Sequence, residues 1–249
     1  MRVLLVRANR NERDVAALAQ AGIDTVIDPY LSISAINNAA AFARMRAALT
    51  SGKPTWLVVT SPNVVSFLDA GLGAGTLSEI LTGTPSVKTA AIGDETARQL
   101  REFGAVEVFQ PLVATSEALA IELCTLPPAL AVLPVGSIAM RELGMALSDA
   151  GFTVVREVIY QTEPVLEEPS SVAAIASGAV DAVVLRSPSA VRAFVNHNGV
   201  PRIRVFCTGP TTARQARELG LQVTAVSPDP SPTSLADTIA RALKEETYA

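Results

Sequence analysis

The sequence contains one segment twice: GDETARQLREFG at residues 93–104 and GPTTARQARELG at residues 209–220. Eight of the twelve aligned positions are identical, and the two copies lie at an offset of 116 residues. Each copy follows a short apolar run and opens on a glycine, which is typical of the turn between a strand and a helix. A repeat of this kind indicates that one structural unit occurs twice in the chain.

Two further pairs of segments show how the repeated units are arranged. TSPNVV at residues 60–65 matches RSPSAV at residues 186–191, and each precedes its copy of the first repeat. A weaker pair, AGIDTV at 21–26 and AGFTVV at 150–155, comes first in one unit and last in the other. This permuted order predicts that one domain is inserted into the other.

The insertion predicts a discontinuous first domain, residues 1–28 plus 167–249, and a continuous second domain, residues 34–155. The two crossings, residues 29–33 and 156–166, are short extended segments rather than Gly/Ser-rich tethers. We expect the crossings to pair as a hinge, about which two rigid domains open and close around a ligand.

Short β-branched runs alternate with amphipathic stretches throughout, which predicts an α/β fold with parallel sheets. Ten candidate strands give two sheets of five. The candidate strands are residues 3–6, 25–27, 57–60, 89–92, 106–108, 131–135, 153–155, 182–185, 205–207 and 222–225. The candidate helices include residues 12–21, 39–49, 95–103, 116–123, 139–150, 189–195, 211–219 and 234–244.

Composition narrows the class of protein. The chain has 249 residues, 49% of them hydrophobic and 18% charged, which is typical of a globular protein. Its net charge of −4 argues against a general nucleic-acid binder. The uncharged stretch Leu123–Met140 contains Pro127, Pro128 and Pro134, which would break a membrane helix. The first apolar run, Val3–Val6, is too short for a signal peptide, so we expect a cytoplasmic protein without a membrane partner.

Metal and cofactor chemistry finds little support in the sequence. Cys124 and Cys207 are isolated among apolar neighbours, which favours buried, reduced packing residues. His197 is the only histidine and stands where a helix is expected to end, which favours a solvated side chain. No P-loop or dinucleotide fingerprint is present. We therefore expect neither a metal nor a cofactor.

The repeated Gly-x-x-Thr turns are candidate anion sites. Free backbone N–H groups and the positive end of the helix dipole favour a carboxylate or phosphate at Gly93 with Thr96, and again at Gly209 with Thr212. A glycine turn capped by a threonine explains the same residues structurally. For Ser61 and Ser187, beside the two Ser-Pro turns, capping is likewise a sufficient explanation.

Arginines and one tyrosine offer further candidates. Arg7 and Arg186 close predicted strands, and Arg141 follows the Pro134–Ser137 turn, where a guanidinium can reach an anion. Pairing with a carboxylate is the structural alternative for such an arginine. Tyr160 falls at the second crossing, where its phenol is either a weak general acid or an aromatic side chain that fills the hinge.

In this order, the segments resemble those of the uroporphyrinogen-III synthase family. The resemblance covers essentially the whole chain and rests on residues 59–65, 91–93, 96–97, 158–162, 187–191, 208–213, 232–233 and 235. It implies two flavodoxin-like domains on a two-stranded connector, no cofactor, a monomer, and transient contact with the preceding enzyme of the pathway. The reaction implied is cyclisation of hydroxymethylbilane to uroporphyrinogen III, with inversion of ring D and loss of water, in haem and sirohaem biosynthesis.

The resemblance also implies roles for individual residues. Tyr160 would act as the acid that assists departure of the hydroxyl group. Backbone amides and hydroxyls of the strand-end turns would hold the substrate's carboxylates, although Arg186 replaces the usual hydroxyl-bearing residue of the second turn. The candidate substrate-binding residues are Arg7, Thr60, Ser61, Gly93, Thr96, Gly136, Ser137, Arg141, Ser187, Thr211 and Thr212.

Two other functions remain compatible with the sequence. One is a non-catalytic two-domain protein that binds or senses tetrapyrroles or small anions, which would bind product tightly without turnover. The other is a structural scaffold, which would show no ligand-dependent closure in small-angle scattering.

Overall fold

The computed structural model of the protein describes residues 1–247, with the side chains of residues 1–243. Residues 248–249 of the first expected domain, and the side chain of Lys244 at the end of the last expected helix, lie outside the described residues. The strands are β1 (Arg2–Leu5), β2 (Asp24–Ile27), β3 (Leu31–Ala35), β4 (Thr55–Val59), β5 (Val87–Ala91), β6 (Val108–Phe109), β7 (Leu130–Gly136), β8 (Thr153–Pro164), β9 (Ala182–Leu185), β10 (Arg204–Cys207) and β11 (Val223–Val226).

Helices alternate with most of these strands, except that β3 follows β2 directly and α4 follows α3. They are α1 (Glu12–Gln20), α2 (Ala39–Leu49), α3 (Pro62–Leu72), α4 (Thr76–Gly83), α5 (Asp94–Glu102), α6 (Ser116–Leu123), α7 (Glu142–Asp149), α8 (Ser171–Ala176), α9 (Pro188–Asn198), α10 (Pro210–Glu218) and α11 (Pro232–Thr247). By their internal contacts, residues Met1–Ile33 and the chain from Glu163 onward form unit 1, and Ser34–Thr162 form unit 2.

Unit 1 contains a parallel sheet with the strand order β11-β10-β9-β1-β2. The apolar run of β1 explains its central position, because both faces of that strand are buried. Leu4 and Val6 pack into one apolar cluster, whereas Val3 and Leu5 pack into a second cluster. Such a run, without polar alternation, is what a strand covered on both faces requires.

Unit 2 contains a sheet with the strand order β3-β8-β7-β4-β5-β6. The prediction of two five-stranded sheets is therefore wrong for this unit, which has six strands. The additional strand, β3, is the first crossing of the chain. Ile36 N donates to Ile159 O at 2.9 Å and Val165 N donates to Tyr30 O at 3.1 Å, so β3 runs antiparallel to β8. The remaining strand pairs of this sheet are parallel.

The permuted repeat of the sequence is visible in the two strand orders. In unit 2, β6-β5-β4-β7-β8 places the Ser-Pro turn after the central strand β4 and the Gly-x-x-Thr turn after β5. In unit 1, β11-β10-β9-β1-β2 places the matching turns after β9 and β10. Equivalent turns therefore follow equivalent strands, even though each sheet begins at a different point of the chain.

All ten predicted strands overlap an observed strand, but some boundaries differ. The strand expected at 106–108 is reduced to β6, and Val106 is 90% exposed because it precedes the pairing with β5. Helix α7 begins at Glu142, since residues 137–141 form turns after β7. No single described helix is long and apolar enough to cross a membrane; α3 and α4 reach that length and composition only as a pair, bent by 101°.

Candidate active site

A pocket of about 520 Å³ lies in unit 2 where β4 and β7 end. These two neighbouring strands send their chains to opposite sides of the sheet, and such a switch point is where open α/β sheets form binding crevices. The pocket is lined by Thr60, Ser61, Ser116, Glu117, Ala120, Ile121, Leu133, Val135, Gly136, Ile138, Ala139, Met140, Glu142, Leu143, Gly144, Ala146, Arg156 and Tyr160. It therefore brings together four sequence-predicted residues: Thr60, Ser61, Gly136 and Tyr160.

Tyr160 is held in this pocket by its strand and by the ring of Phe67. The register of β7 and β8 shifts by one residue, so that Val135 pairs with Val158 and Gly136 pairs with Tyr160. Such a bulge re-aims a side chain beside a functional site. The ring of Tyr160 stacks on Phe67 at a centroid distance of 5.1 Å and is 6% exposed. The phenol is consequently fixed at the wall of the pocket.

Gly136 makes room for that ring. A Cβ atom at position 136 would come 2.5 Å from Tyr160 Cζ and 2.7 Å from its hydroxyl oxygen, which is far inside van der Waals contact. Any larger residue would displace the tyrosine. The small residue predicted as a substrate contact therefore has a direct structural reason to be glycine.

Ser61 begins helix α3 as its N-cap. Its Oγ accepts a hydrogen bond from Asn63 N at 3.3 Å, and Pro62 occupies the first helical position. The capping interpretation of Ser61 is thus confirmed. Its half-buried side chain and that of Thr60 also line the pocket, so the cap and the pocket wall are the same turn.

Ser137 and Arg141 stand on the turns after β7, and both are exposed. Ser137 N donates to Tyr160 O at 2.9 Å, and Ser137 Oγ accepts from Thr162 N at 3.3 Å. Ser137 therefore ties the end of β7 to the strand that carries the tyrosine. Arg141 is the N-cap residue of α7 without a side-chain cap, and it is not part of the pocket lining.

Gly93 precedes helix α5 in an extended conformation and makes no side-chain cap. The threonine cap considered for this turn is absent, and the Thr96 side chain is only 3% exposed. Asp94 and Glu95 occupy the first turn of the helix. A ligand at this helix start would meet backbone N–H groups rather than the Thr96 hydroxyl.

Unit 1 holds the matching turns of the repeat. Ser187 is the N-cap of α9, where its Oγ accepts from Ala190 N at 3.2 Å and lies 2.9 Å from Ser189 Oγ. At the start of α10, Thr211 is exposed and Thr212 is buried at 5%. As in unit 2, the serine caps its helix, and the last residue of the Gly-x-x-Thr turn is buried.

Arg7 and Arg186 meet at a buried carboxylate. Asp14, on α1, is 1% exposed in its side chain and lies 3.2 Å from Arg186 Nη1 and 3.6 Å from Arg7 Nη1. Arg186 also donates to Pro230 O. Burial raises the pKa of Asp14 despite the two arginines, and burial likewise lowers the pKa of Arg186. The structural alternative, pairing with a carboxylate, thus describes both arginines.

His197 and the cysteines belong to the packing of the chain. His197 Nε2 lies 3.1 Å from Val165 O, and its ring packs edge-on against Tyr30, so the prediction of a solvated histidine is wrong. Both cysteines are free; Cys207 is buried and Cys124 is half-buried. Among the residues that the structure describes, no three His, Cys, Asp or Glu side chains are grouped to hold a metal ion.

Arg156 lines the pocket although sequence reasoning missed it. It lies on β8, and its Nη2 donates to Ala139 O at 2.9 Å. The strand pattern around it gives no signal of a site, because its place in the pocket depends on contacts with residues outside β8, namely the Ala139 carbonyl and Gly144 of α7. It is the only Lys or Arg of the lining, where Glu117 and Glu142 are exposed.

The family model of Uroporphyrinogen-III synthase HemD matches residues 12–237. The chain belongs to the uroporphyrinogen-III synthase family. The family suggested by the order of the sequence segments is thus confirmed, and with it membership of a family of cyclising lyases of porphyrin biosynthesis. A search of curated proteins finds no match to this chain.

Solved structures of uroporphyrinogen III synthases share the fold of the chain. A variant from the extremely thermophilic bacterium Thermus thermophilus has a TM-score of 0.65 at 21% identity, covering 98% of this chain and 99% of that one. The protein from Helicobacter pylori has a TM-score of 0.62 at 17% identity, covering 98% and 100%. The wild-type Thermus protein in another crystal form has a TM-score of 0.51 at 23% identity, covering 99% of each chain.

Proposed function

We propose that this synthase-family chain cyclises hydroxymethylbilane to uroporphyrinogen III, inverting the last pyrrole ring and releasing water. The observation that carries the proposal is the family match over residues 12–237. The pocket at the switch point of unit 2 supports it, because it combines a fixed phenol with apolar walls and helix starts. A pyrrole ring with carboxylate side chains requires this combination of surfaces.

Tyr160 is proposed as the acid of the first step. The C–O bond of the hydroxymethyl group breaks, its oxygen takes a proton from the phenol and leaves as water, and an azafulvenium-like electrophile remains. The ring carbon attacked next belongs to the same bilane, so the protein's main task is to hold two ends of one molecule together. The stacked ring of Phe67 fixes the phenol for this transfer.

The substrate's carboxylates are proposed to bind at the strand-end turns. N–H groups at the starts of α3 and α5 in unit 2, and of α9 and α10 in unit 1, carry the positive end of the helix dipole. Backbone donors suit this protein because its net charge of −4 leaves few free cations for anion binding. Thr60 is half-buried and Thr211 is exposed, whereas Thr96 and Thr212 are buried.

Residues 29–33 and 156–166 are proposed as the hinge of two flavodoxin-like domains. Strands β3 and β8 carry these crossings as paired extended backbone. We expect hydroxymethylbilane or product to change the radius of gyration in small-angle scattering. A monomeric state, a cytoplasmic location and transient contact with the preceding enzyme of the pathway remain predictions of the sequence.

A coupled assay with freshly generated hydroxymethylbilane tests the function. We expect uroporphyrinogen III, measured after oxidation by separation of the porphyrin isomers; accumulation of only the uninverted isomer, which forms spontaneously, would contradict the proposal. Tight product binding without turnover would instead favour a sensing protein.

Tyr160→Phe tests the role of the phenol. The variant keeps the stacking on Phe67 and should lower kcat by about tenfold or more, since general acid catalysis contributes on the order of 10²–10⁴. A kcat equal to that of the unmodified protein would remove Tyr160 from the mechanism. Phe67→Leu is the matched control, which loosens the ring but retains the phenol and should therefore lower kcat less.

A further inference from the structure

Arg156 is a partly desolvated cation that faces the pocket without a counter-charge. The structure gives its guanidinium one hydrogen bond, to Ala139 O at 2.9 Å. Among the described residues no carboxylate lies within ion-pair distance of it. Since a guanidinium carries five N–H donors, most of its hydrogen-bonding capacity is available to a ligand.

Two other arginines of unit 2 are paired with carboxylates. Arg44 makes two hydrogen bonds to Glu157, at 2.7 and 3.1 Å, and Arg98 pairs with Glu95 and Glu102 on its own helix. Arg156 neighbours Glu157 in sequence but lies on the opposite face of β8. A half-buried guanidinium without such a pair favours the binding of an anion, because its charge and its remaining N–H donors are not matched by a carboxylate.

The guanidinium of Arg156 and the ring of Tyr160 contact the two ends of one short turn. Ala139, whose carbonyl the guanidinium contacts, closes a turn onto Gly136 O at 3.0 Å, and Gly136 is the residue against which Tyr160 packs. Arg156 and Tyr160 therefore flank the same turn and line the same pocket. Arg156 pairs with Leu133 and Tyr160 with Gly136, so a ligand reaches both groups by spanning the end of β7 within the pocket.

The remaining charges of the pocket select the orientation of an anion. Glu117 on α6 and Glu142 on α7 are exposed, so they place negative charge at the rim. A carboxylate is repelled from that rim and attracted to the inner guanidinium. The wall between them is apolar, with Leu133 and Val135 buried beneath it. An apolar ring with a short carboxylate arm fits this pocket. The ring packs against the apolar wall, and the arm contacts Arg156 and avoids the two glutamates at the rim.

We propose that Arg156 binds a side-chain carboxylate of the pyrrole ring whose hydroxymethyl group meets Tyr160. The contact is a bidentate pair between the guanidinium and an acetate or propionate arm. It makes Arg156 a specificity-determining residue, because it fixes the face and rotation of the reacting ring. This inference rests on the proposed function, and its test separates the two.

The test uses Arg156→Gln and Arg156→Lys, with Arg44→Gln as the matched control. Loss of one charge-assisted contact should raise the KM for hydroxymethylbilane about ten- to a hundredfold in Arg156→Gln. Arg156→Lys keeps the charge without the planar fork and should fall between. Arg44→Gln removes an exposed arginine that pairs with Glu157 and should leave KM unchanged.

A binding measurement that does not depend on turnover accompanies the kinetics. The probe is a monopyrrole with one acetate and one propionate arm, titrated against each variant by calorimetry, and its dimethyl ester is the uncharged ligand control. The unmodified protein should bind the diacid at least tenfold more tightly than the ester. Arg156→Gln should lose most of that preference.

Each outcome decides one of the two claims. If the unmodified protein makes no uroporphyrinogen III, the proposed function fails whatever the monopyrrole does. If it makes uroporphyrinogen III but Arg156→Gln shows unchanged KM and unchanged preference for the diacid, the inference about Arg156 is overturned and the function stands. If Arg156→Gln does not fold, equal binding of diacid and ester by the unmodified protein overturns it.

Discussion

Arg186 Nη1 lies 3.2 Å from one carboxylate oxygen of Asp14 and 3.3 Å from the other, across 172 residues of sequence. Both side chains are removed from water, since Asp14 is 1% exposed and Arg186 is 14% exposed. The pKa of Asp14 is raised and that of Arg186 is lowered, in both cases chiefly by burial. The pair thus fixes the end of β9 against α1. In its charged form it adds no net stability, because burial removes water from both charged groups.

Asp14→Asn should reveal the cost of burying the charged Asp14 carboxyl, because the substitution changes how the free energy of unfolding depends on pH. Because the pKa of Asp14 in the folded protein is above 3.8, the folded state holds this proton at pH values where the unfolded state has released it. The contribution of Asp14 to stability is therefore full below 3.8 and is lost as pH rises through the raised pKa. Urea unfolding at a series of pH values should show the unmodified protein losing stability relative to Asp14→Asn across that window.

Asp229→Asn provides the opposite sign in the same measurement. Hydrogen bonds from Ser231 lower the pKa of this exposed carboxyl, so its contribution is present above 3.8 and is lost as pH falls through the lowered value. The two variants should differ from the unmodified protein with opposite pH slopes. A flat difference for Asp14→Asn would contradict the account of its burial.

Gly136→Ala should slow the reaction while leaving the protein folded. The new methyl group would lie 2.5 Å from Tyr160 Cζ, so the ring must leave its position against Phe67. Overpacking of this kind destabilises by about 1–3 kcal/mol. We expect kcat to fall by about tenfold or more in the isomer assay, with the unfolding transition still cooperative.

Gly83→Ala is the control for that substitution. Nothing lies within 4 Å of the position a Cβ would take at this residue, the last of α4. The change should be neutral or stabilise by up to about 1 kcal/mol, with unchanged activity. Full activity of Gly136→Ala would show that the position of Tyr160 does not matter.

The sequence predicts the parallel strands of both sheets well because their signal is local. A strand buried on both faces must be apolar throughout, and Val3–Val6 and Ala182–Leu185 are. Strand β3 escapes such reasoning, because Leu31–Ala35 is half exposed and becomes a strand only through pairing with β8, more than 120 residues away. Its extended character was predictable from the sequence, whereas its membership of the sheet was not.

The residues of the candidate site also divide into those that the sequence predicts and those that it does not. Thr60, Ser61 and Gly136 could be identified because turns after parallel strands meet at one edge of a sheet. Arg156 could not, since a single arginine within β8 looks like any polar residue of a half-buried strand. What makes it part of the pocket is its contact with the Ala139 carbonyl and with Gly144 of α7, both outside β8.

Tyr30→Phe should destabilise unit 1. The hydroxyl of Tyr30 lies 2.8 Å from Ser171 Oγ and accepts from Asn198 Nδ2 at 3.1 Å, and the side chain is fully buried. Its removal leaves both partners without this contact, at a cost of about 1–3 kcal/mol. Urea unfolding should show the loss, whereas Ser177→Ala, at an exposed helix end, should change stability by less than about 0.5 kcal/mol. Equal stability of both variants would contradict the network.

The two cysteines should differ sharply in reactivity with a thiol reagent. Burial raises the pKa of Cys207 to about 11, and its side chain is fully buried, so neither thiolate nor access is available near pH 8. Cys124 is half-buried, and burial together with Asp149 raises its pKa less. Native Cys124→Ser should therefore not react with Ellman's reagent until urea is added, whereas native Cys207→Ser should release one equivalent slowly. Rapid labelling of native Cys124→Ser would mean that β10 opens far more readily than its buried position implies.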